Sequence, residues 1–315
     1  MNEPKADGAD AVGGAQRVKR WLRPVMLVIT ALFVAWTGFD LSRRWESRRI
    51  SVDLGLLTLS LLPVLVGALL QGVAWLLLVE RMAHQRVPRA TAFSLYFESQ
   101  LARYTPGKVG LPLVRMEGAP SLGLSRRLVG LSVLLEMLSW TATGAVIGFL
   151  LLAIAGAPSE GVGGLAGSLS TPLLVASLTA ALALVAVDRR RIPEKLRATL
   201  GFEGHGPLAP VRLPALQLLY WLTWAAHGYF LARALGAGST GALATMGFSP
   251  LANVLGFAAL AAPAGVGVRE AVLLAGLSPV LGGPGAIGAA VLSRVVSLVA
   301  DIATWLIARR LRTKK

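Results

Sequence analysis

Two ionisable residues stand deep inside apolar runs: Glu136 in Leu131–Trp140 and Arg294 in Val291–Val296. An isolated charge in hydrocarbon costs at least about 2.5–3.5 kcal/mol, so each needs a partner or water. Their charges are opposite, and position 293 lies 157 residues after Glu136. They are therefore expected to form an intramembrane pair that makes and breaks as a site changes access. A fixed pair that only orients helices is the plainer alternative. Further cations, Lys108, Arg115 and Arg269 with Arg103 in a lesser role, adjoin glycine-rich turns. Helix starts after such turns expose amide N–H groups that attract phosphate, which makes these four candidate ligands for an anionic headgroup. Snorkelling at a helix end is the competing explanation. Glu98 and Glu136 could act as acid and base, but no reaction motif joins them. The chain has no cysteine, and His84, His205 and His227 are too scattered for a metal cluster. No metal and no cofactor are expected, and His227 is left outside the site.

The elements that must hold these residues are broken helices. Leu101–Arg115 and Ala261–Glu270 both contain Pro-x-x-Val-Gly, at Pro106–Gly110 and Pro263–Gly267, again 157 residues apart. Proline removes a backbone donor and glycine permits positive φ, so an apolar helix must break there. Pro106, Gly107, Gly110, Pro263, Gly265 and Gly267 are expected to shape the two breaks. A break at membrane depth is tolerable only inside protein or beside water. The flanks match as well: apolar runs 54–79 and 128–156 around the first stretch (90–118) are echoed by 214–232 and 285–307 around the second (240–275). Inverted repeats with paired broken helices are a signature of transporters, the site lying where the breaks converge.

Composition fits a membrane chain. Of 315 residues 55% are hydrophobic and only 15% charged, and mean hydropathy is +0.65. A soluble domain carries about 25% charged residues, so a soluble enzyme is excluded. The net charge of +15 gathers between apolar runs, the pattern of cytoplasmic flanks rather than of nucleic-acid binding. Runs 25–41 and 171–187 complete six expected spans. With the amino terminus inside and both broken stretches returning to their own side, cytoplasmic segments hold 24 Lys and Arg against 6 outside. That places both termini in the cytoplasm, although Arg43, Arg44, Arg48 and Arg49 fall outside and leave open whether 25–41 spans. The expected fold is an all-α polytopic bundle of about six spans plus two opposed re-entrant hairpins. A basic segment (1–24) precedes the membrane domain (25–307, repeat halves about 54–156 and 214–307), a basic tail (308–315) follows it, and the basic stretch 188–213 lies at the membrane surface.

At Arg103–Gly110 with Arg115, Glu136, Pro263–Glu270 and Arg294, the chain resembles the lysylphosphatidylglycerol synthase/flippase transmembrane-domain family, over about residues 50–310. Ala264 departs from the glycine common at that place. The resemblance implies an integral membrane domain associated with moving lipids between leaflets: aminoacylated phosphatidylglycerol in its best-known members, with relatives accompanying polyprenol-linked glycan assembly. No soluble aminoacyl-transfer domain follows the last run, so synthase activity is not expected. The reading is a flippase-like protein of the cell membrane that binds a phospholipid or polyprenyl-linked lipid. The rival is a non-transporting accessory subunit docked on a lipid-using glycosyltransferase or synthase; a lipid-modifying enzyme partner and a homo-oligomer are left open. No ATP-binding loop of the Gly-Lys-Ser/Thr type occurs, so active transport would need an ion gradient.

Overall fold

The computed structural model describes residues 51–104, 110–155, 212–259 and 265–313, together with Glu194. The expected spans 25–41 and 171–187, the basic loop 43–49 and most of the basic stretch 188–213 lie outside them. Among the described residues the chain is helical, without strands. The first half comprises α1 (Leu54–Ala83), α2 (Arg89–Leu101), α3 (Gly110–Gly118) and α4 (Arg126–Ala155). The second comprises α5 (Arg212–Ala234), α6 (Ser239–Thr245), α7 (Phe248–Ala258) and α8 (Val268–Thr313). By length and composition alone, Leu54–Ala83, Arg126–Ala155, Ser239–Ala258 and Val268–Arg310 are apolar enough to cross a membrane, although the last turns back within itself. At about 1.5 Å per residue, α1 and α4 reach about 45 Å, which fits a ~30 Å hydrocarbon core with tilt.

Local chemistry sets the ends. The Asp53 carboxylate accepts from the Leu56 N–H at 3.0 Å and caps α1; His84, in the left-handed region, closes it. Helix α2 stops before the first Pro-x-x-Val-Gly motif and α3 begins at Gly110; α7 stops before the second and α8 begins at Val268. The described helices thus end short of both motifs and restart at or after their final glycine, where prolines and glycines disfavour a continuous helix. Gly265 and Gly267 take φ of 71° and 87°, a region that other residues enter only with strain.

Helix α8 is not straight. Gly282 has φ 70° and ψ 166°, and Arg269 and Glu270 bond to Ser293 and Arg294. In a continuous helix residues 24 apart would stand ~36 Å from each other. The chain reverses at Gly282, giving a hairpin with arms 268–281 and 283–313. This differs from the expected division of the second half into a stretch ending at 275 and a run starting at 285. The first half has the same motif: α3, a turn at Gly123 (φ 69°), then α4 lying back on it. Element starts at 54, 89, 110 and 126 are echoed at 212, 248, 268 and 283.

The halves interlock. Helices α1 and α5 form the most extensive packing and run antiparallel: Asp53 N–H donates to the Ala234 carbonyl, His227 meets Ser60, and Gly67 faces Tyr220 and Thr223. Helix α2 packs on α8 and α7 packs on α4, so each half's interrupted helix lies on the other half's long helix. Glycines permit the close approaches. A Cβ at Gly144 would sit 2.4 Å from the Trp221 ring, and one at Gly247 only 2.6 Å from the Gly148 carbonyl. Small residues at helix contacts serve this purpose in membranes, where burial against lipid gives little drive for association.

Candidate functional site

A cavity of about 140 Å³ lies between the halves. Arg103, Arg115 and Glu136 reach it from the first half, Arg269, Arg294 and Asp301 from the second. Trp140, Tyr220, Trp224 and Phe257 form much of its apolar wall. Five of the expected site residues (Arg103, Arg115, Glu136, Arg269, Arg294) thus share one cavity. Lys108, Pro106, Gly107 and Pro263 lie outside the described residues. Gly110 is the first residue of α3, while Gly265 and Gly267 take left-handed φ just before α8 in the second half.

The ion pairs differ from the one expected between Glu136 and Arg294. Glu136 pairs with Arg115, and Arg294 with Glu270 at 2.5 Å. The cause is topological: in each half the short helix folds back on the long one, and a buried charge meets the opposite charge of its own hairpin. Positions 136 and 294 are equivalent in the repeat, and equivalence is not contact. The polarity is exchanged, the short helix supplying the cation in the first half and the anion in the second.

Arg115 is 1% exposed. Its Nη1 donates to Glu136 and its Nε donates to Ser99 Oγ at 2.7 Å. The guanidinium also lies over the rings of Tyr96 and Trp75, at 4.4 and 4.8 Å from their centroids. Gln71 Nε2 donates to Glu136 Oε1 at 3.1 Å. The carboxylate therefore meets donors from two helices, the condition under which a buried charge is tolerated. In the second half Glu270 does two jobs: Oε2 accepts from the Gly267 N–H at 2.7 Å, the return bond of a capping box, and Oε1 accepts from Arg294 Nε at 2.9 Å.

Arg269 is seated by a directional chain. Its Nη2 donates to Ser293 Oγ at 2.8 Å and to Ser297 Oγ at 3.3 Å. His227 Nε2 lies 3.0 Å from Ser293 Oγ, and Nδ1 lies 3.1 Å from the Ser60 carbonyl. A carbonyl only accepts, so Nδ1 carries the proton and, in the neutral ring, Nε2 accepts from the serine hydroxyl. Ser293 thereby turns its lone pairs to Arg269. The Arg269 guanidinium also stands 5.5 Å from the Trp224 ring centroid. Arg103 Nη2 meets Asp301 Oδ2 at 2.5 Å, joining the 3-10 turn after α2 (Ala102–Tyr104) to the long arm of α8.

Sequence reasoning missed Gln71, Ser99, Ser293 and Ser297, and set His227 aside. The available signal was that polar side chains inside apolar runs need partners, which applies to Gln71 and His227 as much as to Glu136.

Fold and cavity together define a class: a multi-pass membrane protein, helical throughout its described residues, with an arginine-rich chamber between two similar halves. The chain matches the family described as Lysylphosphatidylglycerol synthase TM region over residues 25–303. It belongs to that family. No curated protein matches the chain.

Proposed function

We propose that the protein is a flippase-like transporter that binds a polar, anionic lipid headgroup in the cavity and exposes it to each leaflet in turn. The observation that carries this is the convergence of four arginines and two carboxylates from both halves on one chamber. An excess of cation beside apolar walls suits a phosphate next to acyl chains, which would stay in the bilayer. Arg269 and Arg103, with Lys108, are the proposed headgroup ligands. Arg115 backs them from behind its pair with Glu136, and Arg294 does the same from its pair with Glu270.

An inverted repeat with two opposed re-entrant hairpins supplies the mechanism. The antiparallel packing of the equivalent helices α1 and α5 supports it. So do α3 and the 268–281 arm, each too short for the ~20 residues of a crossing. Rocking of one half against the other would shift the opening of a fixed site. The Arg103–Asp301 contact and the two hairpin ion pairs would re-form at each swing. The topology proposed is a cell-membrane protein with both termini cytoplasmic, from the Lys and Arg count. Its partner is a membrane phospholipid or polyprenyl-linked lipid, driven by its own gradient or by an ion.

The test is a leaflet-accessibility assay in proteoliposomes, with labelled phosphatidylglycerol and a labelled polyprenyl phosphate. Protein-dependent movement of either one, lost in Arg269→Ala, is the expected result. Folded protein that moves neither would refute the reading.

A further inference from the structure

Resting on that reading, we propose that the Gln71–Glu136 corner of the cavity recognises hydrogen-bond donors on the headgroup. It selects a hydroxylated anionic headgroup over a donor-free phosphodiester and over a cationic aminoacylated one. The Glu136 carboxylate only accepts, and the Gln71 amide group lies 3.1 Å from it. This contact fixes the amide orientation, since only the Nε2 end can face a carboxylate. The carbonyl Oε1 of Gln71 is then left over. Gln71 is 5% exposed, and Oε1 takes no hydrogen bond from a described residue. Each carboxylate oxygen of Glu136 can accept twice, whereas the structure gives one donor to each, Gln71 and Arg115. The neighbouring Gln217 amide donates to the Glu136 backbone carbonyl and not to its carboxylate.

The corner thus holds a surplus of acceptors at a wall of the cavity. A buried acceptor without a donor is costly, and an arriving donor removes that cost. Oε1 is covered in this arrangement, so a headgroup meets it only as the walls part. Hydroxyl and ammonium groups both donate, and charge decides between them. Glu136 is already neutralised by Arg115, and the four arginines of the lining meet three carboxylates, Glu136, Asp301 and the Glu270 that pairs with Arg294. An added cation would meet like charge here, whereas a hydroxyl donates without it. The phosphate end of such a headgroup falls to Arg269, held by Ser293 and Ser297 on the same cavity. The ligand class is a polyol phosphodiester lipid.

The test is competition, on purified full-length protein in detergent, against a fluorescent short-chain phosphatidylglycerol. The competitors are short-chain phosphatidylglycerol, phosphatidylpropanol (the same charge without a hydroxyl) and lysyl-phosphatidylglycerol. One neutral hydrogen bond predicts that phosphatidylpropanol competes about fivefold to tenfold less well than phosphatidylglycerol. Lysyl-phosphatidylglycerol should also compete less well. In Gln71→Met phosphatidylpropanol should compete as well as phosphatidylglycerol, because the probe loses the same hydrogen bond, and direct titration of the probe should show its own binding weakened by that same factor. Equal competition by the two in the unmodified protein overturns the proposal whatever the variant does, as does a preference that survives Gln71→Met. Tighter binding of the lysyl lipid overturns the choice of hydroxyl over ammonium. Failure of folded protein to bind the fluorescent probe at all would sink the lipid reading itself, a result distinct from equal competition.

Discussion

Replacing Arg115 by methionine should destabilise the protein far more than replacing Arg115 and Glu136 together. The arginine and carboxylate side chains are 1% and 6% exposed, so neither charge is screened by water. Removing one partner of such a pair costs about 3–5 kcal/mol, because an uncompensated charge remains buried. Gln71 would be the one side-chain donor left to Glu136 among the described residues. Loss of the cation over the Tyr96 and Trp75 rings adds up to ~2 kcal/mol for a desolvated contact. Arg115→Met with Glu136→Leu removes both charges, and replacement of a whole buried pair by apolar groups is often neutral or stabilising. Unfolding free energies in detergent, measured on both single variants and the double variant, give the coupling directly. The expected coupling is about 2–5 kcal/mol, with the double variant more stable than Arg115→Met. A coupling within ~0.5 kcal/mol of zero would refute the reasoning, since sites that do not interact add within that margin.

The second hairpin should behave more mildly. Glu270 is 20% exposed, so Arg294→Met should destabilise less than Arg115→Met in the same unfolding assay. Gly144→Ala should cost about 1–3 kcal/mol by overpacking, because its new Cβ would sit 2.4 Å from Trp221; an unchanged melting temperature would count against the close helix contact. At Gly282 a Cβ meets nothing within 4 Å, yet φ of 70° with ψ of 166° favours glycine. Gly282→Ala should therefore lose about 1–3 kcal/mol through backbone strain alone, and a neutral result would contradict the hairpin reversal. His227→Phe breaks the chain that orients Ser293 toward Arg269, so it should weaken anionic-lipid binding while Gly144→Ala leaves it unchanged; equal lipid affinity in His227→Phe and unmodified protein would remove His227 from the site.

Much of the architecture was legible because lipid solvation is a coarse and strong signal. The long apolar runs at 54–79 and 128–156 became α1 and α4, and both Pro-x-x-Val-Gly motifs fell where helices stop and restart. Five charged candidates met at one cavity because charges inside apolar runs have few places to go. The pairing was not legible. Spacing along the chain identifies equivalent positions in a repeat, but Glu136 and Arg294 find partners through hairpins whose reversal depends on single residues such as Gly282. That glycine is followed by Gly283 and Pro284, a punctuation that reads equally well as the end of a loop. Gln71 and His227 were hidden for another reason: uncharged polar side chains in a membrane run look like tolerated exceptions until their partners are seen.

In the proposed transporter one cavity serves both leaflets, and thiol accessibility tests this directly. The chain has no cysteine, so a single engineered thiol reports alone. Gln100 and Asn253 line the cavity from opposite halves and are partly exposed. Gln100→Cys and Asn253→Cys, labelled with a membrane-impermeant maleimide in right-side-out and inside-out vesicles, measure access from each side. Each thiol should react from both sides and be protected by short-chain phosphatidylglycerol. Reaction from one side only at both positions, under every lipid condition, would contradict it.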